Sequence, residues 1–76
     1  MDAIITTVDA RGQSCPGPLI TLHRAMKEAP SGAVFELLAT DPGAKTDVPS
    51  WSKLTGHELV NRSEDDGVLR YTIRKV

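Results

Sequence analysis

The step Cys15-Pro16-Gly17-Pro18 constrains the fold of this chain more than any other part of its sequence. Two prolines in three residues cannot supply a sheet ladder with N–H donors, so no central strand passes through them. Proline is favoured at the first position of a helix, where its missing N–H had no partner anyway, and Pro16 is expected there. The residues that follow agree. Leu19, Leu22, Met26 and Ala29 recur at intervals of three, four and three and lay one apolar stripe along a helix that ends near Pro30-Ser31-Gly32. His23, Arg24 and Lys27 fall on its solvated side together with Ile20, which is either half-tucked or a contact residue. Upstream, the β-branched run Ala3-Ile4-Ile5-Thr6-Thr7-Val8 reads as a strand that stops at Asp9-Ala10-Arg11-Gly12, where Gly12 can supply a positive φ.

The rest of the chain follows the same two periods. Ala33 to Ala39 reads as a strand with Phe35, Leu37 and Ala39 on one face. The loop Thr40-Asp41-Pro42-Gly43-Ala44-Lys45 leads to a shorter helix, capped by Thr46 or Asp47, running through Val48, Trp51 and Leu54 to a stop at Gly56. Leu59-Val60 and Val68 to Val76 read as two strands joined through Glu64-Asp65-Asp66-Gly67, with Asp66-Gly67 suited to a tight hairpin turn. In the last strand Leu69, Tyr71 and Ile73 alternate with Arg70, Thr72 and Arg74, one face buried and the other wet. The order is βαβαββ, and right-handed crossovers place both helices on one face of a four-stranded sheet, a two-layer α/β sandwich of the α+β class. No repeat or linker interrupts residues 1–76, which are expected to form one domain.

Composition narrows the function. A chain of 76 residues buries only about 60% of its unfolded surface, so a deep substrate pocket is hard to build and function should sit on the surface. Nine basic against ten acidic residues give a net charge of -1, without the basic excess that direct nucleic-acid binding uses. Nothing at the N-terminus resembles a secretion signal, and no apolar run approaches the roughly 20 residues that span a bilayer. A single cysteine cannot form an internal disulfide, which fits a reducing cytoplasm.

Taken alone, that cysteine is as ordinary as any small buried hydrophobe. Its neighbours argue otherwise. Cys15 lies where the loop becomes the helix, and a helix N-terminus carries roughly half a positive charge, which lowers cysteine pKa values from about 8.5 into the range of about 3.5–7.5. Pro16 and Pro18 stiffen the turn and leave the N–H groups of Gly17 and Leu19 as donors to the sulfur, while Gly17 puts no side chain in the way of a visiting thiol. With no second thiol, a dithiol switch is excluded. His23 lies two helical turns from Cys15, too far to share a metal, so no metal site is expected. A cysteine–histidine protease site through His57 lacks room for a substrate cleft.

What remains is a thiolate that accepts a group and hands it on. Asp9-Ala10-Arg11-Gly12-Gln13-Ser14-Cys15-Pro16-Gly17-Pro18-Leu19 resembles the signature of the TusA/SirA-like sulfur carriers, an aspartate and Arg-Gly ahead of Cys-Pro-x-Pro at the first helix. Ala39-Thr40-Asp41-Pro42-Gly43, Asp47-Val48-Pro49 and Gly56-His57-Glu58-Leu59 resemble further segments of that family in the matching order, so the likeness covers nearly the whole chain. It implies a mixed sheet of order 1-2-4-3 with the last strand antiparallel to the rest. It also implies that Cys15 carries a persulfide, taken from a cysteine desulfurase or rhodanese and passed to a cysteine on a DsrE-like acceptor, in tRNA thiolation or dissimilatory sulfur oxidation, without a cofactor. Many relatives carry a second cysteine at the position of Ser52, and its absence here argues against internal resolution of the persulfide.

The site expected from these readings is Cys15, shaped by Asp9, Arg11, Gly12, Pro16, Gly17, Pro18 and Leu19. Asp9 can fix the loop by accepting backbone N–H bonds, and Arg11 can attract an anionic sulfur species or pair with an acidic partner. The carrier is expected to be cytoplasmic and monomeric when free, docking in turn on donor and acceptor, without contact to membrane or nucleic acid. Two other readings compete: a protein-interaction module with a structural cysteine and a patch of Trp51 and Ile20, and a direct tRNA-binding role that the acidic balance disfavours.

Overall fold

A computed structural model describes residues 5–14 and 16–76. Its elements are β1 (Ile5–Ala10), α1 (Gly17–Lys27), β2 (Val34–Ala39), α2 (Ala44–Thr55), β3 (Glu58–Asp65) and β4 (Val68–Arg74). The strands form one sheet in the order β1-β2-β4-β3, with β1 parallel to β2 and β4 antiparallel to both of its neighbours. The βαβαββ order and the two-layer architecture are those read from the sequence, and the inserted last strand is the one the family resemblance implies.

The register explains where the core lies. Val8 pairs with Leu37 and Leu37 with Tyr71, while Ala10 pairs with Ala39 and Ala39 with Leu69, so the buried side chains of three strands share one face. Both helices cover that face with Leu22 and Met26 from α1 and Ala44 and Val48 from α2, all buried. Leu19, Ala29, Trp51 and Leu59 pack around this cluster half-buried. The opposite face stays wet, and Arg70 and Arg74 there are paired with Glu36 and Glu58 rather than merely solvated.

Element boundaries differ from the sequence reading in instructive ways. Of the first expected strand, Ala3 and Ile4 lie outside the described residues, and β1 continues through Asp9 and Ala10, because small Ala10 fits fully buried opposite Ala39. Pro16 is the N-cap of α1 rather than its first residue, which places Gly17 first and Pro18 second. The same helix stops at Lys27, and Ala29 reaches the core from the turn beyond it. Helix α2 starts at Ala44 on Gly43, with no capping side chain, earlier than a Thr46 or Asp47 cap allows. Its buried stripe is Ala44, Val48 and Ser52, and Leu54, expected on the apolar side, is 86% exposed. Strand β3 is much longer than Leu59-Val60, and a register shift between Leu59 and Asn61 breaks its alternation. The turn into β4 is as expected: Asp66 (φ 57°) and Gly67 (φ 80°) both take positive φ, the signature of a two-residue hairpin loop.

Candidate functional site

β1 and β2 run parallel, so their C-terminal ends emerge at the same edge of the sheet, and the loop from β1 to α1 crosses that edge beside Thr40. The loop is tied down on three sides. Asp9 accepts the backbone N–H of Arg11 at 3.1 Å, and its two carboxylate oxygens accept the guanidinium Nε and Nη2 at 2.9 and 2.8 Å. Gly12 has φ +83° and donates its N–H to Thr40 Oγ1 at 2.9 Å, which joins the loop to the end of β2. Gln13 donates its N–H to the Ala10 carbonyl at 3.2 Å and accepts the Thr21 hydroxyl of α1 on Oε1 at 3.1 Å.

Gly12 takes the positive φ that the sequence reading allowed it. Asp9 fixes the loop as foreseen and also holds the Arg11 side chain, so the guanidinium already has a carboxylate partner within the chain. The side-chain bond from Arg11 is the largest of the causes that hold the Asp9 carboxyl at about 2 against an ordinary 3.8, and the same contact raises Arg11 above its usual value. Both groups are exposed, so this pair shapes the loop more than it stabilises the fold.

Cys15 itself lies outside the described residues; Ser14 and Pro16, which flank it, are exposed. The donors foreseen for its sulfur change in one respect. Gly17 N–H is already given to the Ser14 carbonyl at 2.8 Å, so it is not a free donor. Nor is the space beside Gly17 empty, because the Gln13 side chain occupies it: a Cβ built on Gly17 would lie 3.0 Å from Gln13 Oε1 and 3.3 Å from Gln13 Cβ. Pro18 is fully buried and Leu19 half-buried against the core, which fixes the direction of the first turn. Ile20 is 48% exposed on the same turn, so it is not tucked into the core.

Trp51 is half-buried against the core, and its ring lies 5.5 Å from that of His57. His57 and His23 line one shallow cleft with Met26, Lys27 and Lys75, away from the loop. Among the described residues no three of His, Cys, Asp and Glu converge on a point that would hold a metal ion. No helix among them is long and apolar enough to cross a membrane. Sequence reasoning missed Gln13, Thr21 and Thr40, polar residues whose local context carries no signal because their partners come from other elements. Ser52 is also more than an absent cysteine: it is buried, and its hydroxyl donates to the His57 carbonyl at 2.5 Å, tying the end of α2 to the start of β3.

Comparison with known proteins bears directly on this loop and fold. The model of the family described as sulfurtransferase TusA matches residues 6–75. The chain is 41% identical over 68 residues to the putative sulfur carrier protein YrkI of Bacillus subtilis (strain 168), covering 90% of this chain and 91% of that protein. It is 41% identical over 69 residues to the sulfur carrier protein TusA of Pseudomonas entomophila (strain L48), covering 91% and 86%. A putative sulfur carrier protein of Archaeoglobus fulgidus is 38% identical over 72 residues, covering 95% of this chain and 99% of that one. Among solved structures, the SirA-like protein of Desulfitobacterium hafniense superposes with a TM-score of 0.78 at 27% identity, covering 93% of this chain and 96% of that chain.

Proposed function

This chain belongs to the TusA family of sulfurtransferases, and from that premise we propose that it relays sulfur as a persulfide on Cys15, from a donor protein to an acceptor protein. The observation that carries the reading is the family match over 6–75 centred on a chain whose single cysteine stands in the Cys-Pro-x-Pro step that opens α1.

The chemistry needs no group beyond thiols. The Cys15 thiolate attacks the terminal sulfur of a donor persulfide, a new S–S bond forms at Cys15, and the donor cysteine leaves as thiolate. In the second step an acceptor thiolate attacks the terminal sulfur on Cys15, that S–S bond breaks, and the Cys15 thiolate is restored. Each step moves one sulfane sulfur with no net oxidation. The tethered loop supports this role, because an exposed segment presented on a rigid edge can approach a second protein without first being ordered. The donor is a cysteine desulfurase or a rhodanese, and the acceptor a DsrE-like or other cysteine-bearing protein. Asp9, Arg11, Gly12, Pro16, Gly17, Pro18 and Leu19 hold the loop and the helix start in shape for both encounters. The carrier works in the cytoplasm, as a monomer between encounters.

Incubation with a cysteine desulfurase and L-cysteine, followed by intact mass measurement, tests the first step. Wild type gains one sulfur atom, reversible by dithiothreitol, and Cys15→Ser gains none. No gain on wild type, or equal gain on Cys15→Ser, overturns the proposal.

A further inference from the structure

The Gln13 side chain lies across the first turn of α1, two residues before Cys15 in sequence and against the residue two positions after it. Its Oε1 accepts the Thr21 hydroxyl at 3.1 Å, and that hydroxyl's single proton is shared with the Gly17 carbonyl, also at 3.1 Å. Its backbone N–H is fixed to Ala10, at the end of β1. Gln13 therefore links the end of β1 to the first turns of α1, a helix that has no side-chain cap of its own.

Gly17 carries a second, independent sign of the same contact. Four other glycines, at 12, 32, 56 and 67, take positive φ, but Gly17 does not. Its backbone is that of an ordinary helical residue, for which alanine would otherwise be the better helix former. What disfavours a side chain there is Gln13, whose Oε1 and Cβ stand 3.0 and 3.3 Å from the Cβ position. The space beside Gly17 is thus filled from the loop, by residue 13, and not from the helix, by residue 17.

We propose that Gln13 is the positioning residue for Cys15, its carboxamide lying in the space left open by Gly17 and latched to Thr21 so that the loop and the helix start move as one unit. The proposal rests on the sulfur-carrier reading for its biological consequence, though the latch can be measured on the thiol alone. Loss of the latch lets the 11–16 loop drift from the positive end of α1, which weakens thiolate stabilisation and misaligns the sulfur for attack.

The test follows the rate of Cys15 alkylation by iodoacetamide against pH, together with the rate of sulfur loading from a desulfurase charged with L-cysteine. Far-UV circular dichroism and melting temperature report the fold. Gln13→Ala and Thr21→Val are expected to shift the alkylation midpoint upward and slow loading about two- to tenfold, the size expected of one net hydrogen bond. Thr21→Ser, which keeps the hydroxyl, restores wild-type behaviour. Gly17→Ala reproduces the defect in the wild-type background but adds less to Gln13→Ala, because the carboxamide it displaces is already gone and only the Cβ of residue 13 still stands near the new methyl. The proposal is overturned if folded Gln13→Ala keeps both the midpoint and the loading rate, or if Gly17→Ala is equally harmful with and without Gln13. A wild type that takes up no sulfur, yet shows the shifted midpoints in the variants, leaves the latch standing and removes the carrier reading instead.

Discussion

Replacing Lys75 by methionine should weaken the fold at the end of α1 remote from the candidate site. The Lys75 ammonium donates to the carbonyls of Met26 at 2.8 Å and Ala29 at 2.5 Å, with the Lys27 carbonyl at 3.4 Å. These are carbonyls at the end of α1 and in the turn beyond it; that of Met26 also accepts the Ala29 N–H at 3.0 Å, so there the ammonium adds to a backbone bond. A hydrogen bond to a charged group contributes about 1.5–3 kcal/mol, and fixing a lysine side chain costs up to about 2 kcal/mol. Lys75 is half-buried, so water takes over part of the role in the variant. The net loss is about 1–2 kcal/mol. At about 4–8 °C per kcal/mol for a domain of this size, the melting temperature of Lys75→Met falls by roughly 4–16 °C. Methionine keeps most of the apolar stem, so lost packing does not account for the change. The helix is 11 residues long, which puts this cap about 16 Å from the first turn, and the pH midpoint of Cys15 alkylation should stay where it is. Thermal unfolding followed by circular dichroism decides the matter: an unchanged melting temperature refutes the assignment of the ammonium as the cap that holds α1.

The Asp9 carboxyl should titrate at about 2 in a carbon-detected NMR experiment, and Arg11→Ala should return it toward 3.8. Since the folded value lies below the unfolded one, what the pair adds to stability is complete above the unfolded value and fades as pH falls through about 2; a midpoint near 3.8 in wild type contradicts the geometry. Ser52→Ala should cost about 1–2 kcal/mol in urea unfolding by leaving the His57 carbonyl without its donor. Ser52→Cys should show only one rapidly alkylated thiol, since position 52 is 9% exposed and a second fast thiol is incompatible with that burial. Leu22→Ala, at a fully buried position, should cost about 2–5 kcal/mol, whereas Leu54→Ser should stay within about 0.5 kcal/mol of wild type.

The contrast between Leu22 and Leu54 shows what periodicity can and cannot give. Strands with one covered face, β2 and β4, alternate cleanly, and their alternation was sufficient to place Phe35, Leu37, Tyr71 and Ile73 in the core. β3 was nearly invisible because it is an edge strand: Arg62 and Glu64 pair with Tyr71 and Leu69 yet remain exposed, and the register shift after Leu59 resets the period. The start of α2 carries no capping side chain to read, since Gly43 holds that position, and its stripe passes through the small residues Ala44 and Ser52, which do not stand out as apolar. At the site, local chemistry was legible. Asp9, Arg11 and Gly12 form a turn whose residue types announce it, and the family resemblance rests on the same residues. The bonds from Gly12 to Thr40 and from Gln13 to Thr21 span 28 and 8 residues, and no short-range pattern encodes them.

The central claim is that Cys15 holds one sulfur and gives it up to another thiol. The most direct measurement takes the protein already loaded with sulfur, freed of donor, and mixes it with a DsrE-like acceptor while both intact masses are followed in time. The account predicts that the carrier returns to its unloaded mass as the acceptor gains the sulfur one for one, with the acceptor's cysteine-to-serine variant gaining none. A loaded carrier that keeps its sulfur in the presence of the acceptor, or sheds it only as free sulfide, contradicts the account.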